Sequence, residues 1–233
     1  MGEADDALGG EALGFYEAIA GRYDRVYAAR GREAGARLAE LAALLPPRSR
    51  VLVLGVGTGR ELASLLDAGH TPTGLDFSPR MLERAARRAR PVPLVLADFW
   101  APLPFLPGAF DACVALHGTL AHAPSKGCVT SLGAELARVL RPGGVLVLEA
   151  PSPSWDADAA PGEPDEDGRA VSRVDAERAV AEDRVAKVTV RFMTLPAATW
   201  EALLAPSLRA QATDDGREVR VIARVPEPST PGA

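Results

Sequence analysis

Cationic residues are not in excess in this chain, cysteine and histidine are scarce, and no apolar run is long. Its 233 residues carry 26 Lys and Arg against 31 Asp and Glu, a formal net charge of -5. No overall basic surface is therefore on offer to a phosphate backbone, and a nucleic-acid partner is not expected. The arginine-dense stretch Arg84-Ala85-Ala86-Arg87-Arg88-Ala89-Arg90 falls late in a predicted helix, where it complements the helix dipole and solvates an outer face. Cys113 and Cys128 have no CxxC or histidine spacing around them, so neither a disulfide framework nor a metal site is indicated. Apolar runs stop well short of the roughly 20 residues that span a bilayer, and Met1-Gly2-Glu3-Ala4-Asp5-Asp6 has neither a basic nor an apolar leader region. The expectation is a cytoplasmic protein without membrane contact, a monomer or homodimer. Its composition, 47% hydrophobic and 24% charged, is that of an ordinary globular chain with one main core.

What is present is alternation of strand and helix. Helical patterns over 11–27 and 32–45 come first, and Pro46-Pro47 stops the second because proline cannot continue a helix. Strands are then expected at 50–54, 71–75, 93–97, 110–116 and 144–150, with helices at 60–68, 79–89 and 129–140; Ser78 caps the second of these helices and Pro79 occupies its first position. The stretch 151–168 is rich in proline, alanine and acids and reads as a mobile loop, either beside the active-site mouth or simply solvated. A half-exposed strand at 184–195, a helix at 197–204 and a hairpin of 208–213 with 218–225 about Asp214-Asp215-Gly216 close the pattern. The fold class is α/β, a doubly wound, mostly parallel seven-stranded sheet with a C-terminal antiparallel hairpin. Its expected parts are a helical lid (1–47), a cofactor-binding core (48–150), an acidic loop with an inserted strand (151–196), and a closing helix and hairpin (197–233).

The strongest local signal is Val51-Leu52-Val53-Leu54-Gly55-Val56-Gly57-Thr58-Gly59, an apolar strand entering a glycine turn and then a helix. Glycines let the backbone approach a ligand, and free amides at a helix start favour an anion. A dinucleotide fingerprint would need a small residue at Arg60, so a nicotinamide-dependent oxidoreductase is disfavoured. Asp76 closes the second strand about 20 residues beyond the glycines, where a carboxylate can accept from two ribose hydroxyls. Asp98-Phe99 follows the third strand and suits an adenine, by hydrogen bonding to its amino edge and by ring contact. Taken singly, either aspartate could instead be a helix-capping loop residue.

Together these positions resemble the class I S-adenosylmethionine-dependent methyltransferases, from about Phe15 to Val225. Gly74-Leu75-Asp76-Phe77-Ser78-Pro79-Arg80-Met81-Leu82 is similar to the family's second-strand motif, and Leu136-Ala137-Arg138-Val139-Leu140-Arg141-Pro142-Gly143-Gly144 to its helix, turn and fifth strand. The resemblance implies S-adenosylmethionine as cofactor, with Gly55, Gly57 and Gly59 toward its methionine portion, Asp76 on the ribose, Phe77 and Met81 on the adenine faces and Asp98 on the adenine amino group. Val56, Phe99, Leu116 and Tyr23 complete the set assigned to the cofactor. The segment 15–24, with Tyr16 and Tyr23, is similar to an N-terminal helix that closes over the cofactor in small-molecule members. One departure stands out: the family usually carries an acid where this chain has Val53, so the cofactor's ammonium group must find backbone carbonyls or another acid.

Methyl transfer from a sulfonium is an in-line displacement, so the protein chiefly orients the acceptor and, where needed, removes its proton. His122 aligns by resemblance with a histidine bordering the acceptor in sugar-amine N-methyltransferases, and Tyr16 with a lid tyrosine. Each is a catalytic candidate, or else a packed or capping side chain; His70 reads as structural. The expected function is methyl transfer to a nitrogen or oxygen of a small molecule. The competing reading is a non-catalytic cofactor-binding protein of the same fold.

Overall fold

The computed structural model describes residues 3–27, 40, 41, 43–88, 91–154 and 168–228, with side chains from residue 10 onward. Its central strands are apolar on both faces. In β1 (Arg50–Leu54) the last four residues are buried, β4 (Phe110–Ala115) buries all but Asp111, and β5 (Leu140–Pro151) is sealed from Val145 to Ala150. Such runs suit strands covered by helices on two sides. β2 (Thr71–Asp76) and β3 (Leu94–Leu96) extend the sheet in parallel on one flank. On the other flank β5 pairs antiparallel with β10 (Glu218–Arg224), which pairs with β9 (Arg209–Asp214), giving the order β3-β2-β1-β4-β5-β10-β9. The doubly wound sheet with its terminal hairpin is the architecture expected from the sequence.

Alternate residues of β1 face opposite cores. Val51 and Val53 pack with Leu62 and Leu65 of α3 (Leu62–Asp67) and with Leu82 and Ala85 of α4 (Pro79–Arg88). Leu52 and Leu54 share the other core with α5 (Lys126–Val139) and α6 (Ala197–Leu204). Capping sets where these helices begin. The Ser78 hydroxyl accepts the Met81 N–H at 3.1 Å, and the Ser125 hydroxyl accepts the Cys128 N–H at 3.3 Å. Helix α5 buries Val129, Leu132, Gly133, Leu136 and Val139 along one stripe. Gly133 admits α6 closely, since a Cβ there would stand 3.4 Å from Leu204. His70 is buried and structural, its Nδ1 accepting the Ser49 N–H at 3.1 Å.

Two expectations are corrected. The helix expected at 11–27 is instead α1 (Glu3–Ile19), a turn, and the single-turn α2 (Tyr23–Val26). Gly21 weakens the helix at the break, and Arg22 there pairs with the buried Asp183 at 2.6 Å. The one strand expected at 184–195 is β8 (Val188–Met193), and two further strands precede it: β6 (Arg169–Asp175) and β7 (Arg178–Asp183) form with it a separate antiparallel sheet, β6-β7-β8. Ala179, Ala181, Val190 and Phe192 of this sheet pack against Ala12, Phe15 and Ile19 of α1. The helix expected at 32–45 lies mostly outside the described residues, with 40, 41, 43 and 44 helical, and the acidic loop at 151–168 lies outside them from 155 to 167. Among the described residues no helix is long and apolar enough to cross a membrane.

Trp200 is fully buried where α6 meets the hairpin side of the sheet. Trp200→Ala is expected to lower the free energy of unfolding by about 3–5 kcal/mol in urea melts, the usual cost of deleting a large core aromatic.

Candidate active site

The sheet changes its direction of growth between β1 and β4, which are neighbours although β2 and β3 intervene in sequence. Crevices at such switch points, outside the carboxyl ends of the strands, are where α/β sheets bind ligands. Here the crevice is a cavity of about 810 Å³ measured out to its open mouth. The turn after β1 contributes Gly55, Val56, Gly57, Thr58, Arg60 and Glu61; the ends of β2 and β3 contribute Asp76, Phe77, Met81, Asp98, Phe99 and Trp100. The loop after β4 adds Leu116, His117, Thr119 and His122, and Ala12, Tyr16 and Tyr23 come from the N-terminal helices.

All but one of the sequence-predicted site residues thus line one cavity. Gly59 does not: a Cβ there would meet Leu62 at 3.0 Å and Ala85 at 3.1 Å, so this glycine serves the packing of α3 and α4. Gly55, at φ +60°, passes close under the β4 loop, and a Cβ would fall 2.5 Å from Thr119 Cγ2. Beside Gly57 the nearest atom to a Cβ would be the Gly55 carbonyl oxygen at 3.9 Å, which leaves open space against the backbone. Ala12, Thr58, Arg60, Glu61, Trp100, His117 and Thr119 also line the cavity and were not among the residues expected there from sequence. Arg60 and Glu61 directly follow the glycine motif, and His117 shares a segment with His122, so proximity to those motifs was the available signal.

Asp76 is 4% exposed, and its two carboxylate oxygens accept the Gly57 N–H at 2.8 Å and the Ser78 N–H at 2.9 Å. Each oxygen keeps a lone pair for a further donor. Burial raises its pKa above the usual carboxylate range, while the N–H groups of Ser78, Gly57 and Phe77 pull it down. Asp98 Oδ1 accepts the Trp100 N–H at 2.9 Å, and Phe99 stacks obliquely on Trp100 with ring centroids 4.8 Å apart. This order of a ribose-suited acid at β2 and an acid with adjacent aromatics at β3, beside an open glycine turn, fits a nucleoside carrying an amino-acid tail.

Helices α1 and α2 line one side of the cavity, held by polar contacts to several elements. Glu17 accepts the Ser78 hydroxyl at 2.5 Å and the Arg80 N–H at 3.0 Å; Asp24 accepts the Thr58 hydroxyl at 2.7 Å and pairs with Arg88; Glu11 accepts the Arg191 N–H at 2.8 Å. Arg88 of the arginine-dense stretch is thereby engaged within the chain. On the inner side the Tyr16 hydroxyl meets His122 Nε2 at 2.7 Å, and His122 Nδ1 lies 3.1 Å from the Arg191 carbonyl oxygen. A carbonyl can only accept, so Nδ1 carries the proton and Nε2 accepts from Tyr16. Burial pushes the His122 pKa down to about 4, against the opposing Arg191 contact and the nearby Glu11. Burial, then the neighbouring Tyr27 and Tyr23, raises that of Tyr16. The pair is neutral near pH 7.

Residues 51–144 match the model of a family described as "Methyltransferase domain". The chain is 36% identical over 149 residues to a demethylmenaquinone methyltransferase of Beutenbergia cavernae, covering 62% of this chain but only 60% of that relative. It is 31% identical over 186 residues to the dTDP-4-amino-2,3,4,6-tetradeoxy-D-glucose N,N-dimethyltransferase of Saccharopolyspora spinosa, covering 73% of this chain and 70% of the relative. Among solved structures it is similar to DesVI of Streptomyces venezuelae, with 25% identity, a TM-score of 0.64, and 88% and 96% of the two chains covered. With the strand order, the glycine turn and the acids at the ends of β2 and β3, these matches establish that the chain belongs to the class I S-adenosylmethionine-dependent methyltransferases.

Proposed function

We propose that this chain transfers the methyl group of S-adenosylmethionine to a nitrogen or oxygen of a small polar acceptor, in the cytoplasm. The observation that carries the reading is the neutral Tyr16–His122 pair, hydrogen-bonded at 2.7 Å in the wall of the cofactor cavity. The amino sugar in the name of the 31% identical relative supports a small acceptor, as does a net charge of -5. Two unpaired cysteines suit a reducing compartment.

Bound S-adenosylmethionine supplies a methyl group already activated on a sulfonium. In this reading the chain's residues bind, orient and exclude water. Asp76 accepts from the ribose hydroxyls, Asp98 from the adenine amino group, and Phe77 and Met81 cover the adenine. The Tyr16 hydroxyl donates to His122, so its oxygen retains lone pairs that can accept an N–H or O–H of the incoming acceptor and aim the nucleophile. His122 fixes the rotation of that hydroxyl, and α1 shuts the site against water.

Calorimetry with S-adenosylhomocysteine tests the cofactor assignments: Asp76→Ala is expected to lose about 1.5–3 kcal/mol of binding, the scale of hydrogen bonds to a charged group, while remaining folded. Unchanged affinity would remove the ribose assignment. A screen of small amines, phenols and carboxylates for cofactor demethylation tests the acceptor class. Once an acceptor is in hand, Tyr16→Phe is expected to lower turnover about 10²-fold with cofactor affinity intact. Undiminished turnover would remove Tyr16 from the reaction, and cofactor binding without turnover of any small acceptor would favour the non-catalytic reading.

The depressed pKa of His122 yields a test with a definite sign. Between about pH 6.5 and 4 the unfolded chain binds a proton at this residue and the folded chain does not, so its contribution to stability is complete above that window and is lost as pH falls through it. NMR titration of the imidazole should show a midpoint near 4. His122→Gln should flatten the acid limb of the stability profile, and an imidazole titrating near 6.5 would contradict the neutral pair.

A further inference from the structure

We propose that Glu61, held in place by His117, is the counter-charge for the α-ammonium group at the amino-acid end of the cofactor. The proposal rests on S-adenosylmethionine as the ligand of this cavity and assigns the part of that ligand which the sequence left without an acid. Val53, at the position where the family usually carries one, is 2% exposed and packed in an apolar cluster with Val51, Val56 and Leu116. Strand β1 therefore supplies no negative charge to the site.

Among the described residues the acids that line the cavity are Asp76, Asp98 and Glu61. They are ordered along the sheet edge. Asp98 follows β3, Asp76 ends β2, and Glu61 follows the turn after β1, beside His117 from the loop after β4; the strands lie in the order β3-β2-β1-β4. Three strand intervals of roughly 4.8 Å span about 14 Å, enough for an extended nucleoside with an amino-acid tail. With adenine at β3 and ribose at β2, the tail runs onto β1 and β4, where Glu61 stands.

The local geometry is arranged around this carboxylate. Glu61 is only 5% exposed yet faces the cavity, and its Oε1 lies 2.8 Å from His117 Nε2. His117 adopts φ +56°, a left-handed backbone that non-glycine residues seldom take, and Gly118 follows at φ +81°. This reversal at the end of β4 turns the imidazole toward the β1 turn. Among the described residues the hydrogen-bond partner of this nearly buried carboxylate is the His117 imidazole, and an ammonium group in the cavity would bring it a full opposite charge. A neutral glutamine in its place would keep the shape and lose the charge.

The test compares two ligands that share the adenosine moiety. S-adenosylhomocysteine carries the α-ammonium, and 5′-methylthioadenosine lacks the amino-acid group altogether. In calorimetry, Glu61→Gln is expected to weaken S-adenosylhomocysteine by about 10- to 100-fold and to leave 5′-methylthioadenosine within about threefold of the unsubstituted protein, as loss of a hydrogen bond to a charged group predicts. Retained 5′-methylthioadenosine binding also reports that the cavity is intact. An equal loss for both ligands assigns Glu61 a structural role and overturns the proposal, as does unchanged affinity for both. If the unsubstituted protein binds neither ligand, the cofactor reading itself fails. Should Glu61→Gln not fold, His117→Gln carries the same comparison: a loss confined to S-adenosylhomocysteine supports the proposal, and an equal or absent loss overturns it.

Discussion

Between β1 and β4 the helices that follow neighbouring strands leave toward opposite faces of the sheet: α3 packs with Val51 and Val53, while α5 packs with Leu52 and Leu54. The two connections diverge and the strand ends remain uncovered. A crevice at this point is a consequence of topology, and the side chains only furnish it. What they must not do is close it. Gly55 at φ +60° lies so near Thr119 that any side chain would collide, so the floor is made of backbone. The acids stand at the ends of successive strands because that is where the chain leaves the sheet and its side chains can reach the crevice.

The N-terminal helices meet the same crevice from the other side. Helix α1 buries Ala12, Phe15 and Ile19 against a small sheet that belongs to a different part of the chain, so its outer packing and its cavity-lining residues Ala12 and Tyr16 sit on one element. Apolar contact gives this docking most of its free energy and little of its direction. Direction comes from the polar contacts: Glu17 with Ser78, Asp24 with Thr58, Glu11 with Arg191, and Arg22 with Asp183. The last is the most buried, with side-chain exposures of 13% and 1%, and breaking such a pair by removing one partner is costly.

The core was legible in the sequence because its strands are continuous apolar runs punctuated by glycine and proline, and its helices carry caps at the expected places. Of the small sheet only the last strand was. The inward positions of the other two are largely alanine, at Ala170, Ala179 and Ala181, a residue with little β preference and too little apolar area to mark a period of two. The break in the first helix was hidden because a single glycine, Gly21, is a weak signal by itself, and the ion pair that accompanies the break joins Arg22 to a residue 161 positions away. Within the site, Asp76 and Asp98 could be read because they end strands at a recognisable distance from the glycine turn. Glu61 and His117 could not, since their pairing is a contact across 56 residues and depends on a left-handed backbone at His117 that no local pattern announces.

Tyr16 and His122 share a hydrogen bond in the wall of the cavity. Desolvation acts on them in opposite directions, raising the tyrosine and lowering the histidine, and both effects stabilise the neutral forms. A proton taken from an acceptor would have to rest on an imidazole whose pKa is about 4, which makes it a poor store for one. The pair is better built to orient than to abstract. An amine nucleophile, on the proposed reading, would then enter as the free base, with its lone pair already available, and donate an N–H to Tyr16 Oη. A phenol or carboxylic acid would need to arrive ionised, and a phenolate or carboxylate has no proton to donate to that oxygen. On the proposed reading, the Tyr16–His122 pair would therefore position the acceptor by a hydrogen bond to Tyr16 Oη and leave the nucleophile to arrive with its lone pair available.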